Sequence, residues 1–179
     1  MSSDADLVRY DGPGLRARKD DLLEVYREAY AERLDDPFFS PDRFWERVER
    51  GSHREAVRLV TADVAGRLVG FTLGAVLPTD SAWWRGLTTP ADPDLVRETG
   101  SRTFCINELM VRPDCRRRGY AAALSAALLD GLSVERVALL VRPENTPARS
   151  AYLSWGFRVV GRMRPFPDSP LYEAMVKQL

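Results

Sequence analysis

Three successive arginines, Arg116, Arg117 and Arg118, run straight into Gly119, and Tyr120-Ala121-Ala122 then opens an apolar run. Upstream, Thr103–Val111 has the composition of a strand, and downstream the pattern turns helical. The basic residues therefore sit where a strand gives way to a helix. The first N–H groups of a helix have no intrahelical partner and carry about half a positive charge. A glycine-containing turn that gathers them at one point, with guanidinium groups beside it, has the chemistry of a phosphate site. Gly119 has no Cβ to hold a ligand off, and small Ala121 and Ala122 keep the first helical turn open. No Gly-Lys-Ser/Thr follows, which excludes a Walker loop, and one glycine is too few for the dinucleotide fingerprint. On these residues alone a solvated basic turn explains the cluster equally well.

The wider stretch LMVRPDCRRRGYA resembles the acyl-CoA loop of the GNAT N-acetyltransferase family. That loop reads Arg/Gln-x-x-Gly-x-Gly/Ala after a strand ending in Val-x-Pro, matched here by Val111, Pro113, Arg116, Gly119 and Ala121. Ala121 replaces a second glycine, a change the family tolerates. Further on, ENTPARSAYLSWGF resembles the family's Asn-x-x-Ala…Tyr…Gly-Phe segment through Asn145, Ala148, Tyr152, Gly156 and Phe157.

The resemblance implies an α/β chain with the acyl-CoA N-acyltransferase fold, a mixed central β-sheet flanked by helices, as one domain over residues 1–179. It implies acetyl-CoA as acyl donor, its pyrophosphate held by Arg116, Arg117, Arg118, Gly119, Tyr120, Ala121 and Ala122. The pantetheine arm would pair with the backbone of Leu109, Met110 and Val111 as if it were another strand. Asn145 would hold the arm from its other side.

Acetyl transfer from a thioester needs a neutral amine, a held oxyanion and a proton for the leaving thiolate. An amine with pKa near ~10.4 is neutral in only about one molecule in 10³ to 10⁴ at pH 7. A general base answers that need, and Glu108, on the central strand just ahead of the donor contacts, is the candidate. The competing reading makes it the ion-pair partner of an arginine. Tyr152 occupies the position of the family's general acid, and a phenol of pKa about 10 suits a departing thiolate. The competing reading packs its ring on the core. A backbone N–H beside the strand would hold the oxyanion. Phe38, Phe39, Phe44, Trp45, Trp83 and Trp84 are candidates to line an acceptor pocket, or ordinary core.

The remaining reactive side chains carry less. His53, the single histidine, follows Gly51-Ser52 and reads as an exposed loop residue. Cys105 reads as core and Cys115 as an incidental residue of the basic turn. No His/Cys cluster has metal-ligand spacing, so no metal is expected. The formal net charge is zero, and only two of the 26 basic residues are lysines, so arginine is the default cation. Nothing global argues for nucleic acid or a membrane surface. Two cysteines form no disulfide framework, and no apolar run approaches the ~20 residues that cross a bilayer, so the expected location is cytoplasmic. The expected partners are acetyl-CoA and an amine acceptor, small molecule or protein amine, with a homodimer left open. Two alternatives remain: a longer acyl donor, and a non-catalytic acyl-CoA sensor of the same fold.

Around these residues the pattern predicts a strand at Leu7–Tyr10 closed by Asp11-Gly12-Pro13-Gly14, and a helix from Leu15 to Leu34. A helix capped by Ser40 and ended by Gly51 comes next. Strands near Ala56–Ala62 and Arg67–Leu77 form a hairpin around Gly66. Residues 78–101 read as a long irregular connection. Strand Thr103–Val111, helix Arg118–Leu132, strand Val134–Val141 and a helix from Thr146 to Trp155 follow. Two last strands, Phe157–Met163 and Leu171–Val176, complete the chain.

Overall fold

The structure, a computed structural model, describes residues 4–179. Seven strands, β1 (Asp6–Tyr10), β2 (Arg58–Val64), β3 (Arg67–Val76), β4 (Thr103–Val111), β5 (Arg136–Val141), β6 (Arg158–Met163) and β7 (Tyr172–Gln178), form a mixed sheet in the order β1-β2-β3-β4-β5-β7-β6. The chain forms two compact units, one running up to Ala75 and adding Asn107–Leu132, the other made of Val76–Ile106 and Ser133–Leu179.

In the first unit, β1 (Asp6–Tyr10) leads directly into α1 (Gly12–Ala17). The Asp11-Gly-Pro-Gly run is a helix start and not a closing turn. Asp11 stays extended, its carboxylate accepts the Gly14 N–H at 2.9 Å, and proline fits the first turn. The helix expected from Leu15 to Leu34 is broken at Arg18, whose φ of −96° and ψ of 15° are not helical. It resumes as α2 (Lys19–Ala29), and a 3-10 turn follows at Ala31–Arg33. Leu22, Leu23, Val25 and Tyr26 form the buried face that produced the helical period.

Helix α3 (Pro41–Ser52) starts as expected, Ser40 Oγ accepting the Arg43 N–H at 3.3 Å, but runs through Gly51 to Ser52. Strands β2 (Arg58–Val64) and β3 (Arg67–Val76) pair antiparallel around Ala65 and Gly66. Both loop residues have positive φ, 49° and 77°, the twist that a two-residue hairpin requires. Ala56, expected in the strand, lies outside it at φ 55°. The core joins Leu22, Tyr26, Phe44, Trp45 and Phe71 with Met110.

In the second unit the supposedly irregular connection carries a 3-10 turn at Trp83–Gly86 and a short helix α4 (Pro93–Val96). Leu87 bridges to Met163, and Thr88 N–H donates to the Arg162 carbonyl. Strand β4 (Thr103–Val111) begins here, pairing parallel with β5 (Arg136–Val141) over Thr103–Ile106. Helix α6 (Thr146–Ser154) is followed by β6 (Arg158–Met163) and β7 (Tyr172–Gln178), and β7 pairs antiparallel with both β5 and β6. Trp84 lies in this unit's core with Ala138, Met163, Ala174 and Val176.

Candidate active site

In the first unit, β4 leaves its last residue, Val111, for Arg112, which is 2% exposed. Arg112 donates to the Leu68 carbonyl at 2.6 Å and binds the carboxylates of Glu24 and Glu28 on α2. This anchors the end of the strand before the basic turn begins. A 3-10 turn, Pro113–Cys115, follows, and then the backbone reverses through two left-handed residues, Arg117 at φ 63° and Gly119 at φ 86°. Helix α5 (Tyr120–Leu129) starts two residues later than Arg118 and ends before Leu132.

Gly119 is the cap of α5 and has no side chain with which to satisfy the first-turn N–H groups. A Cβ built on it would meet no protein atom within 4 Å, so the space above the turn is open. Arg116, Arg117 and Arg118 are exposed, and Arg116 Nε donates to the Val111 carbonyl at 3.3 Å. No carboxylate among the described residues lies within ion-pair distance of these three. Tyr120 is buried, Ala121 half-buried and Ala122 exposed. At the other end of α5, Arg9 donates to the Ala127 carbonyl at 2.7 Å and Arg58 to the Asp130 carbonyl at 2.8 Å. Cys115 is an ordinary turn residue: burial and the neighbouring Asp114 push its thiol up, against thiolate formation.

Glu108 lies in the same unit. Its backbone carbonyl accepts the Thr72 hydroxyl at 2.8 Å. The residue is half-buried, yet protein surrounds the carboxyl closely enough that desolvation pushes its pKa up to about 7, with Arg47 on α3 pulling the other way. Glu108 makes no ion pair with an arginine among the described residues, so the paired-carboxylate reading is set aside. Leu109 is half-buried, and Met110 and Val111 are buried.

The aromatic list resolves mainly as core. Phe38, Phe39, Phe44 and Trp45 are all buried, Tyr26 stacks on Phe44 with centroids 3.9 Å apart, and its hydroxyl donates to the Phe39 carbonyl. Trp84 is also buried, its indole N–H held by Glu98 at 2.7 Å, and Trp83 is packed half-buried beside it. Of the two readings open for Trp84, the structure favours core: an indole with a buried acceptor for its N–H is satisfied there.

In the second unit, Asn145 and not Thr146 caps α6, its Oδ1 accepting the Ala148 N–H at 3.4 Å. Tyr152 is 9% exposed, with its ring edge-on to Trp155 and Phe157 at centroid distances of 5.7 and 5.8 Å. Arg149, one turn earlier, binds Glu173 on β7 at 2.6 Å.

The family model described as "Acetyltransferase (GNAT) family" matches residues 19–157. The chain belongs to the GNAT acetyltransferase family. Several solved structures share its fold. The ribosomal-protein-S18-alanine N-acetyltransferase of Escherichia coli superposes with a TM-score of 0.66 at 18% identity, over 97% of this chain and 93% of that one. The PaiA N-acetyltransferase of Thermoplasma acidophilum, solved in complex with coenzyme A, gives 0.59 at 14% identity over 100% of both chains. PH1933 from Pyrococcus horikoshii OT3 gives 0.65 at 18% identity over 97% of this chain and 99% of that one. No curated protein matches the chain in sequence.

The mixed sheet and its flanking helices are thus the GNAT fold. Among the described residues no helix is long and apolar enough to cross a membrane, and no group of three or more His, Cys, Asp or Glu could hold a metal ion. Sequence reading missed Arg112, although its place between strand end and Pro113 marks it as a junction residue. It also missed Arg47, whose relation to Glu108 is purely tertiary.

Proposed function

We propose that this GNAT chain, acting as a single domain, transfers an acetyl group from acetyl-CoA to a primary amine. The observation that carries this is the turn at Arg116–Gly119: exposed arginines without carboxylate partners ahead of an α5 start that no side chain caps. Its open space and unsatisfied N–H groups fit a pyrophosphate. Acetyl-CoA would supply the acetyl thioester.

The chain's own residues divide the remaining work. Arg116, Arg117 and Arg118 attract and hold the anionic end, and the N–H groups of Tyr120, Ala121 and Ala122 bind its oxygens. The backbone of Leu109, Met110 and Val111 aligns the donor's arm, and Asn145 is the candidate side chain to hydrogen-bond it. Glu108, with a pKa of about 7, accepts the proton of the incoming ammonium near neutral pH. Tyr152 gives its phenolic proton to the departing thiolate and is re-protonated from solvent.

The test is a screen of primary amines with acetyl-CoA, following release of free coenzyme A, beside a thermal-shift titration of acetyl-CoA. The expected result is stabilisation by acetyl-CoA together with amine-dependent thiol release. Stabilisation without release from any amine would make the chain an acyl-CoA-binding module, and absence of both would overturn the site.

A further inference from the structure

We propose that Arg67 is a positioning residue for donor binding, holding the Asp114 carboxylate off the arginines that take the donor's phosphates. The proposal rests on the reading of Arg116–Ala122 as the phosphate site. Asp114 belongs to the Pro113–Cys115 turn, two residues before the first of the three arginines. Two peptide units span at most ~7.6 Å between Cα atoms, so the chain itself puts this acid beside the site. A carboxylate left loose there works against the donor in two ways. It neutralises a turn arginine through a charge-assisted hydrogen bond, and it repels an incoming phosphate.

Both oxygens of that carboxylate are engaged elsewhere. Arg67, the first residue of β3, donates from Nη1 to Asp114 Oδ2 at 2.8 Å. The Cys115 thiol donates to Oδ1 at 3.3 Å. The Arg67 guanidinium first, then the Cys115 thiol, hold the Asp114 carboxyl below its ordinary value, so it is charged at neutral pH. Arg67 is steadied in turn, its Nη2 lying 3.9 Å from Glu28, the carboxylate that also binds the buried Arg112. The Arg112 N–H donates to the Val69 carbonyl at 2.8 Å, which fixes the start of β3 beside the end of β4. Signs thus alternate from α2 to the turn through Glu28, Arg67 and Asp114. All of these residues lie in the first unit, together with the basic turn and α5.

The experiment titrates acetyl-CoA into wild type, Arg67→Met, Asp114→Asn and the double variant, with a thermal melt of each. The two side chains are 48% and 58% exposed, so these substitutions leave the core untouched. Should Arg67→Met nonetheless melt early, Arg67→Gln takes its place in the same cycle. The expected result is that Arg67→Met weakens acetyl-CoA binding about three- to tenfold, and that adding Asp114→Asn restores wild-type affinity. Asp114→Asn alone should change affinity less than about twofold, because Arg67 already occupies that carboxylate. This non-additivity separates a held carboxylate from two charges acting independently on the donor. Equal tightening by Asp114→Asn in both backgrounds overturns the proposal. So does an Arg67→Met loss that the second substitution leaves unrestored, or wild-type affinity in Arg67→Met itself. If wild type binds no acetyl-CoA, the phosphate-site reading has failed and this proposal falls with it.

Discussion

Glu98 and Arg136 form a salt bridge of 2.9 Å with side chains only 2% and 1% exposed. The same Glu98 oxygen accepts the Trp84 indole N–H and the Thr103 hydroxyl, while the other carboxylate oxygen is buried without a partner. One carboxylate thus ties the connection before β4 to the first residues of both β4 and β5. Breaking one side of such a pair leaves an uncompensated buried charge, whereas removing both leaves only a packing problem. Glu98→Leu should therefore lose about 3–5 kcal/mol of stability, and the double variant with Arg136→Met should recover most of it. Chemical denaturation of the two variants checks this. Trp84→Ala should likewise act on folding, at about 3–5 kcal/mol, and not selectively on acceptor KM.

At Gly119, geometry separates two effects. Gly119→Ala meets open space but must hold φ 86°, so it should cost roughly 1–2 kcal/mol of stability and leave donor binding detectable. Gly119→Glu adds a like charge where phosphate is read to sit and should abolish the thermal shift given by acetyl-CoA. Equal shifts for wild type and Gly119→Glu would remove the phosphate turn from the mechanism.

The Glu108 carboxyl gives a signed pH dependence. Below pH about 7 the carboxyl is protonated and the base is lost, so kcat/KM should fall about tenfold per pH unit beneath an apparent pKa near 7. Glu108→Gln should lower the rate about 10²-fold or more and remove that limb. Stability runs in the opposite sense. Between the ordinary value of 4.5 and about 7 the folded chain keeps a proton that the unfolded chain releases, so stability drops as pH rises through this window. Glu108→Gln should therefore be more stable than wild type at pH 8, by at most about 3 kcal/mol, and gain little at pH 4. Thermal melts at both pH values measure it.

Tyr152→Phe removes one hydroxyl and keeps the edge-on ring contacts with Trp155 and Phe157. Folding and acetyl-CoA affinity should survive, while kcat should fall roughly 10²- to 10⁴-fold. Unchanged kcat would make water or the amine the proton source, and lost donor binding would make Tyr152 a packing residue.

What was legible in the sequence was chemistry written in adjacent residues. The strand–turn–helix around Gly119, the Ser40 cap and the hairpin around Gly66 each depend on a few neighbours, and each is present, although α5 starts two residues after Arg118. Asp11-Gly-Pro-Gly misled because the same residue types close a strand and open a helix. The break at Arg18 was hidden because the apolar period of α2 alone looked long enough to fill the segment. Trp84 misled because its acceptor, Glu98, is fourteen residues away and only the fold brings it near. Arg136 sits inside an apolar strand run, where nothing local announces a buried ion pair. The raised Glu108 pKa comes from burial, a property that no neighbour in the chain encodes.

Helix α5 has no charged side chain, and its carbonyl end is held by Arg9 from β1 and Arg58 from β2. Arg9 lies 118 residues before the carbonyl it grips. The helix is thus clamped by cations at its tail and left bare at its head, so its polarity is compensated at one end only. Fraying of the first strand would release one clamp and let the head drift with the tail. Strand β1 is in this way a remote mooring for the turn at Gly119, and a substitution that loosens Arg9 would tug on a turn that it never touches.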